Sequence, residues 1–247
     1  MAKERLDQLL HQRGLCDSRE MGKRLILAGE VRVEGLEGNL KPGQKVENDV
    51  EITIRNRPKF VSRGGLKIEK ALEHFNISPM GKVVLDAGAS TGGFTDCVLQ
   101  QGAEKVYAYD VGKNQLAWKI RQDPRVVCRE GFNIRYMEPS DIPEEVDLVV
   151  IDVSFISLTH ILGPVFRVLK REGDVLCLIK PQFELRKDQV GKGGIVREEE
   201  LHEEAIDKIR SFVVDELGKS WHGVTESPIN GTDGNVEFLA WLKHPHE

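Results

Sequence analysis

Apolar residues recur along this 247-residue chain with two different periods, and the change of period divides it. Near the start, Leu6, Leu9 and Leu10 fall at helical spacing, and Met21, Leu25 and Ile26 repeat the pattern. Asp17 is placed as the N-cap of the second helix, with Glu20 at the capping-box position and Gly29 at its end. Short strands are predicted over 31–33 and 51–54, with turn chemistry between them at Gly35, Gly38 and Pro42–Gly43. Pro58, within Arg57–Pro58–Lys59, stops any preceding strand. A helix is predicted over 65–75, and short apolar runs then alternate with helical patterns. The runs are 83–86, 105–109, 126–128, 148–151 and 175–179; the helices begin at Phe94 and lie near 115–121 and 161–169. This alternation predicts a mostly parallel, doubly wound sheet. A charged helix around 198–217 precedes strand-like runs near 222–225 and 236–241, and the Pro228, Gly231 and Gly234 between them predict a hairpin-like, antiparallel edge. The fold class expected is α/β, a Rossmann-like sheet with a small N-terminal α+β domain. Residues 1–57 form the first domain, 58–64 a linker and 65–247 the second domain.

A composition of 40% hydrophobic and 30% charged residues suits a globular protein with a real core. No apolar run reaches the roughly 18–20 residues needed to span a bilayer, and MAKERLDQLL lacks the apolar centre of a signal peptide. A cytoplasmic location is expected. Cys16, Cys97, Cys128 and Cys177 lie at least 31 residues apart without a C-x-x-C pair, and read as reduced thiols. The histidines form no metal-binding cluster, and His244 and His246 read as a solvated tail. The net charge of −5 argues against nucleic acid, but its distribution does not. Residues 1–70 carry 15 Lys plus Arg against 11 Asp plus Glu, while the remainder carries 20 against 29. The front of the molecule is thus the part suited to a polyanion; a solvated helix face is the plainer alternative.

The densest chemistry lies in VLDAGASTGGF, ending at Phe94. An apolar strand ends in Asp86 and breaks into a small-residue loop before a helix, which brings backbone N–H donors to a ligand. The glycines fall as Gly88, Gly92 and Gly93, and this G-x-x-x-G-G spacing disfavours the nicotinamide fingerprint G-x-G-x-x-G. Asp86 points to a ligand with a cationic amino-acid end, as in S-adenosylmethionine. Asp110, at the tip of KVYAYD, is placed to accept hydrogen bonds from ribose hydroxyls, a role shared by both cofactor classes. Asn133 follows the third strand and is placed beside the adenine. Asp152 ends DLVVID and Lys180 ends VLCLIK, where an open α/β sheet puts its chemistry. A plain ion pair between them is the alternative. Lys67 in SRGGLK and Glu237 in GNVEFL complete the candidate set.

Two resemblances sharpen these readings. RLDQLLHQRGLCDSREMGKRLILAGEVRVEG resembles the RNA-binding module of the small-subunit ribosomal protein S-four type. That resemblance implies RNA contacts by Arg5, Arg13, Arg19, Lys23, Arg24 and Arg32, chiefly to phosphates. FVSRGGLK, VLDAGASTGGFTDCVL, VYAYDVGKNQL, LVVIDVSFISL, LIKPQFE, GKGGIVR and SPINGTDGNVEFL together resemble the TlyA family of ribosomal RNA 2′-O-methyltransferases, historically labelled hemolysins. Their order also fits the wider FtsJ-like group and its Lys–Asp–Lys–Glu tetrad. EGFNIR departs from the pattern, which leads one to expect a more polar pair before Asn133. The resemblance implies S-adenosylmethionine held by Asp86, Gly88, Ser90, Gly92, Gly93, Phe94, Asp110 and Asn133. It implies a catalytic set of Lys67, Asp152, Lys180 and Glu237, no metal, and ribosomal RNA or ribosomal subunits as partner; the oligomeric state is open. Lys180 is expected nearest the ribose hydroxyl of a cytidine, as base or as stabiliser of developing alkoxide. The rivals are a membrane-active hemolysin, a non-catalytic RNA-binding protein with a degenerate methyltransferase domain, and a base methyltransferase. The last tends to carry N-P-P-[YF] where this chain has DVSF, which favours ribose.

Overall fold

The computed structural model describes residues 3–16, 18–55 and 58–245. The chain divides into two compact units between Lys59 and Phe60. The first unit runs β1 (Lys3–Arg5), α1 (Leu6–Gln12), α2 (Arg19–Leu27), β2 (Val31–Val33), β3 (Lys45–Glu47) and β4 (Ile52–Ile54). β1 pairs antiparallel with β3, and β2 with β4. Leu6, Leu9 and Leu10 pack against Leu25 and Ile26 and against Val31, Val33, Val46 and Ile52, so the two helical stripes read from the sequence meet over the strands. The cap of α2 differs from expectation. Asp17 lies outside the described residues, and Ser18 accepts the Met21 N–H at 3.1 Å; Glu20 pairs with Lys23 instead of closing a capping box. Gly29, at φ 73°, follows the last turn as expected.

The second unit begins inside the stretch expected to be linker, because Phe60 is buried over Gly65. It comprises α3 (Gly64–His74), β5 (Val83–Ala87), α4 (Gly93–Gln100), β6 (Lys105–Asp110), α5 (Trp118–Arg121), β7 (Val126–Glu130), β8 (Val146–Ile151), α6 (Leu162–Phe166), β9 (Leu169–Ile179), α7 (Pro181–Glu184), α8 (Glu199–Ser211), β10 (Ser220–Glu226) and β11 (Phe238–Lys243). One seven-stranded sheet has the order β10-β11-β9-β8-β5-β6-β7. Its strands are parallel from β9 to β7, while β11 runs antiparallel to both β9 and β10. The reversed strand therefore enters inside the edge, and β10 is the edge strand. Both faces are covered. Val149, Ile151, Cys177 and Ile179 belong to one apolar layer, and Leu148, Val150, Leu176 and Leu178 to the other, as a period of two demands of a doubly covered strand.

Two helices are shorter than the sequence suggests. α5 is a single turn, because Ala117, its N-cap, holds ψ 140° and keeps the chain non-helical up to Trp118. The helix expected near 161–169 ends at Phe166, since Leu169 already opens the 11-residue β9. An apolar run that short carries no period able to separate the two states.

Asp7, fully buried on α1, accepts hydrogen bonds from Arg5 and, at 2.9 Å, from Arg19. The Arg5 bonds, helped by Arg19, hold its carboxyl down at about 2. Its contribution to stability is therefore full above its unfolded value near ~4 and disappears as pH falls towards about 2. We expect Asp7→Asn to destabilise the first unit by about 1–2 kcal/mol at pH 7, the half-exposed arginines limiting the effect. The difference from wild type should shrink through the acid range. Amide exchange is the measurement, because the first 59 residues contain no Trp or Tyr.

Candidate active site

Two cavities open along the carboxyl edge of the sheet and share Gly88, Ser90, Asp152 and Ser154 as a common wall. The first, about 320 Å³, gathers Lys67, Asp152, Lys180 and Glu237. The second, about 470 Å³, is lined by Asp110, Asn133 and a more apolar set including Val111, Phe132, Val153 and Ile156. The loop from β5 to α4 separates the two. Gly88 holds φ 92° there, and a Cβ at this position would collide with the carbonyl oxygen of Asp152. Only glycine lets this loop approach the end of β8.

The four candidate catalytic residues form two ion pairs. Lys180, one residue past β9, donates to Asp152 Oδ1 at 2.5 Å and to Ser154 Oγ at 3.0 Å. Lys67 lies on the buried face of α3 beside Ile68, Ala71 and Leu72, and its Nζ bonds Glu237 Oε2 across 170 residues of sequence. Both lysines and Glu237 are buried, while Asp152 is half-buried. Buried charges of this kind are tolerable only when paired.

On the other side of Gly88, Asp110 accepts N–H bonds from Ser90 at 2.8 Å and from Gly112 at 2.6 Å, which fixes its carboxylate between two loops. Asn133 caps the short turn Ile134–Tyr136 by accepting the Arg135 N–H. Gly93 and Phe94 border the first cavity, Phe94 with its ring buried; Gly92 packs towards Leu116 and Ile120 and faces neither cavity. Asp86 is fully buried behind the loop and lines neither cavity. Thr95 Oγ1 donates to its Oδ2 at 2.6 Å, and its Oδ1 has no partner among the described residues. Burial pushes this carboxyl up to about 7, against the Thr95 hydrogen bond; the charges of Asp152 and Asp110 add to the rise.

Sequence reasoning did not single out Ser154, the second partner of Lys180, nor Ser62, Arg63, Thr91, Ile229 and Thr232, which complete the first cavity. All but Thr91 lie within ten residues of a tetrad member, and that adjacency was the one available signal. Phe155, beside Ser154, is 90% exposed at φ 63° and lies against Phe183 with ring centres 5.1 Å apart.

The six basic residues of the first unit do not form one free surface. Arg5 and Arg19 hold Asp7, Arg13 donates to the carbonyls of Val50 and Asn48, and Lys23 pairs with Glu20. Arg24 and Arg32 stay exposed, outside any ion pair among the described residues. An open groove of this unit, about 970 Å³, mixes Arg32 and Arg55 with Glu34, Glu37 and Glu51 and contains no Lys, His or Cys.

A mostly parallel sheet with a reversed strand inside its edge, a glycine loop after its central strand and an acidic tip on the next is the frame of a Rossmann-like methyltransferase. Residues 60–244 match the family model described as FtsJ-like methyltransferase, and residues 4–36 match the S4 domain. A Bacillus subtilis (strain 168) chain provisionally named an rRNA methyltransferase, YqxC, is 51% identical over 99% of this chain and 87% of its own length. The 16S/23S rRNA (cytidine-2'-O)-methyltransferase TlyA of Mycobacterium tuberculosis is 45% identical over 97% of this chain and 89% of its own. A solved chain from Streptococcus thermophilus, 47% identical, superposes with a TM-score of 0.76, covering 100% of this chain and 90% of that one. The chain belongs to the FtsJ-like methyltransferase family, with an S4 domain match ahead of that region. Among the described residues no helix is long and apolar enough to cross a membrane.

The raised carboxyl of Asp86 has a testable consequence. Folded Asp86 keeps its proton up to about pH 7, whereas the unfolded chain loses it near ~4. Stability linked to this group therefore falls as pH rises from about 4 to 7 and levels off above that. Melting temperatures measured across pH should show Asp86→Asn more stable than wild type at pH 8, with the gap narrowing towards pH 4.

Proposed function

We propose that this chain transfers the methyl group of S-adenosylmethionine to the 2′-hydroxyl of a cytidine in ribosomal RNA, in the cytoplasm. The observation that carries the reading is the gathering of Lys67, Asp152, Lys180 and Glu237 in one cavity that shares a wall with the Asp110 chamber. The second chamber fits the cofactor in size and in chemistry. Its volume lies within the range of small-molecule sites. Asp110 offers acceptors for a ribose diol, Phe132 and Ile156 an apolar wall for a base, and the Gly88 turn a close backbone approach. Gly88, Ser90, Asp110 and Asn133, which line that chamber, are assigned to holding it, while Gly93 and Phe94 border the neighbouring cavity. Asp86 and Gly92 act from behind the loop, by fixing its shape.

S-adenosylmethionine supplies an electrophilic methyl on a sulfonium that already leaves well. The protein's task is then to hold the ribose oxygen in line and manage its proton. Lys180 is assigned to that oxygen, and Asp152 and Ser154 fix its Nζ by bonds of 2.5 and 3.0 Å. The Lys67–Glu237 pair closes the far wall and aligns the nucleotide. The first unit, to Lys59, is assigned to holding folded RNA through phosphates, and the second, from Phe60, to the chemistry. Arg24 and Arg32 carry the contacts we expect, because among the described residues their charges are in no ion pair.

Two experiments test this. Labelled methyl should pass to undermethylated ribosomal subunits and be recovered as an alkali-resistant 2′-O-methyl dinucleotide. Asp152→Ala and Lys180→Ala should each lower kcat by at least about 100-fold with the fold intact; clear residual turnover at either variant contradicts the assignment. The double variant Arg24→Ala, Arg32→Ala should weaken subunit binding and lower its salt dependence by about two phosphate contacts. Binding unchanged by that pair would remove the first unit's assigned surface.

A further inference from the structure

Glu184 takes no part in the four-residue set, yet its buried carboxylate accepts three hydrogen bonds. Its side chain is 1% exposed and lies at the end of α7, four residues after Lys180. Oε1 accepts the Leu158 N–H at 2.8 Å. Oε2 accepts Ser157 Oγ at 2.5 Å and the Lys208 ammonium of α8 at 3.1 Å. Lys208 also donates to the Glu184 carbonyl. A carboxylate so buried is costly unless fully partnered, and here every partner but Lys208 belongs to the turn that follows Asp152.

That turn needs an anchor. Residues 152–157 carry Asp152 and Ser154, the two groups that hold Lys180. At its start the Asp152 N–H donates to Ala87 O at 3.1 Å. Among the described residues no backbone hydrogen bond holds residues 153–156, and the chain passes through the left-handed Phe155 on the way. The next fixed points are Ser157 and Leu158, and both are fixed by Glu184. From Glu184 back to Lys180 the path is rigid: Pro181 has a locked φ, and the Phe183 N–H bonds Lys180 O at 2.9 Å.

We infer that Glu184 is a positioning residue that closes a ring from Asp152 through Ser157, Glu184 and Lys180 back to Asp152, and so sets the geometry of the Lys180 ammonium. It acts through the loop and touches no substrate. The inference rests on the proposed reaction at Lys180, and it adds a second layer of residues on which that reaction depends. Misplacement of about 1 Å at a reacting group is enough to cost about 100-fold in rate. Loss of the Glu184 anchor should therefore appear in kcat before it appears in binding.

The test uses the full chain, methyl transfer to undermethylated ribosomal subunits, cofactor binding by calorimetry, and amide exchange. Glu184→Ala should lower kcat about 10- to 100-fold, with KM for the subunit and Kd for S-adenosylmethionine within about twofold of wild type. Exchange across residues 153–158 should speed up. Glu184→Gln, which keeps an oxygen for the Leu158 N–H, should recover part of kcat. Ser157→Ala, which removes one donor and leaves the carboxylate paired with Lys208, should lower kcat less than Glu184→Ala; these two milder variants decide the matter if Glu184→Ala does not fold. Wild-type kcat in both milder variants overturns the inference, as does a loss shared equally by kcat, cofactor Kd and melting temperature. If the wild-type chain methylates no RNA, the reaction reading fails by itself. Exchange at the Leu158 amide, which donates to Glu184, then decides the ring: unchanged protection there in Glu184→Ala overturns it.

Discussion

Lys180 and Asp152 meet because β8 and β9 run parallel, side by side, and stop at the same edge. A lysine with a buried head group demands a carboxylate partner, and the neighbouring strand delivers one a single residue past its end. The rest of the site is arranged about that pair. Gly88 lets the glycine loop press against the Asp152 carbonyl, so the two chambers share a wall. α3 contributes Lys67 from a face otherwise built of Ile68, Ala71 and Leu72, and β11 brings Glu237 to it from the reversed strand. Each pair is neutral, so the whole set adds no net charge to the cavity it lines.

That neutrality shapes how an FtsJ-like chain of net charge −5 can hold RNA. The tetrad is suited to placing a hydroxyl, and beyond it the cavity wall carries one charge able to attract phosphate, Arg63. More of the attraction falls to surface cations, and of the six named for RNA contact in the first unit four are committed. Arg5 and Arg19 stabilise a buried aspartate, and Arg13 ties backbone carbonyls. A count of basic residues therefore overstates the surface available to a polyanion, and long-range steering depends on fewer groups than the sequence suggests.

The sheet was legible wherever strands are covered on both faces, because runs such as Leu148–Val149–Val150–Ile151 have no polar alternation to confuse them. Asp152 and Lys180 were legible for a related reason: a charge that ends such a run stands at the carboxyl edge. The cap of α2 was not, since Asp17 and Ser18 are equally good capping types and only backbone geometry separates them. The short α5 escaped too, because a non-helical alanine at position 117 leaves no mark on periodicity. Ser154 and Glu184 were hidden for another reason. Their importance comes from which loop lies beside which turn, and no local pattern encodes that.

Lys67 and Glu237 stand 170 residues apart, and this separation has a meaning in time. As the chain leaves the ribosome, Lys67, the glycine loop, Asp152 and Lys180 all emerge before residue 237. Until then β9 is an open edge, able to pair with whatever strand it meets. Contacts of such long span also form late in folding. β11 thus covers the exposed edge as the second ion pair is completed. A chain halted before residue 237 would carry the glycine loop and Lys180 but leave Lys67 without its carboxylate.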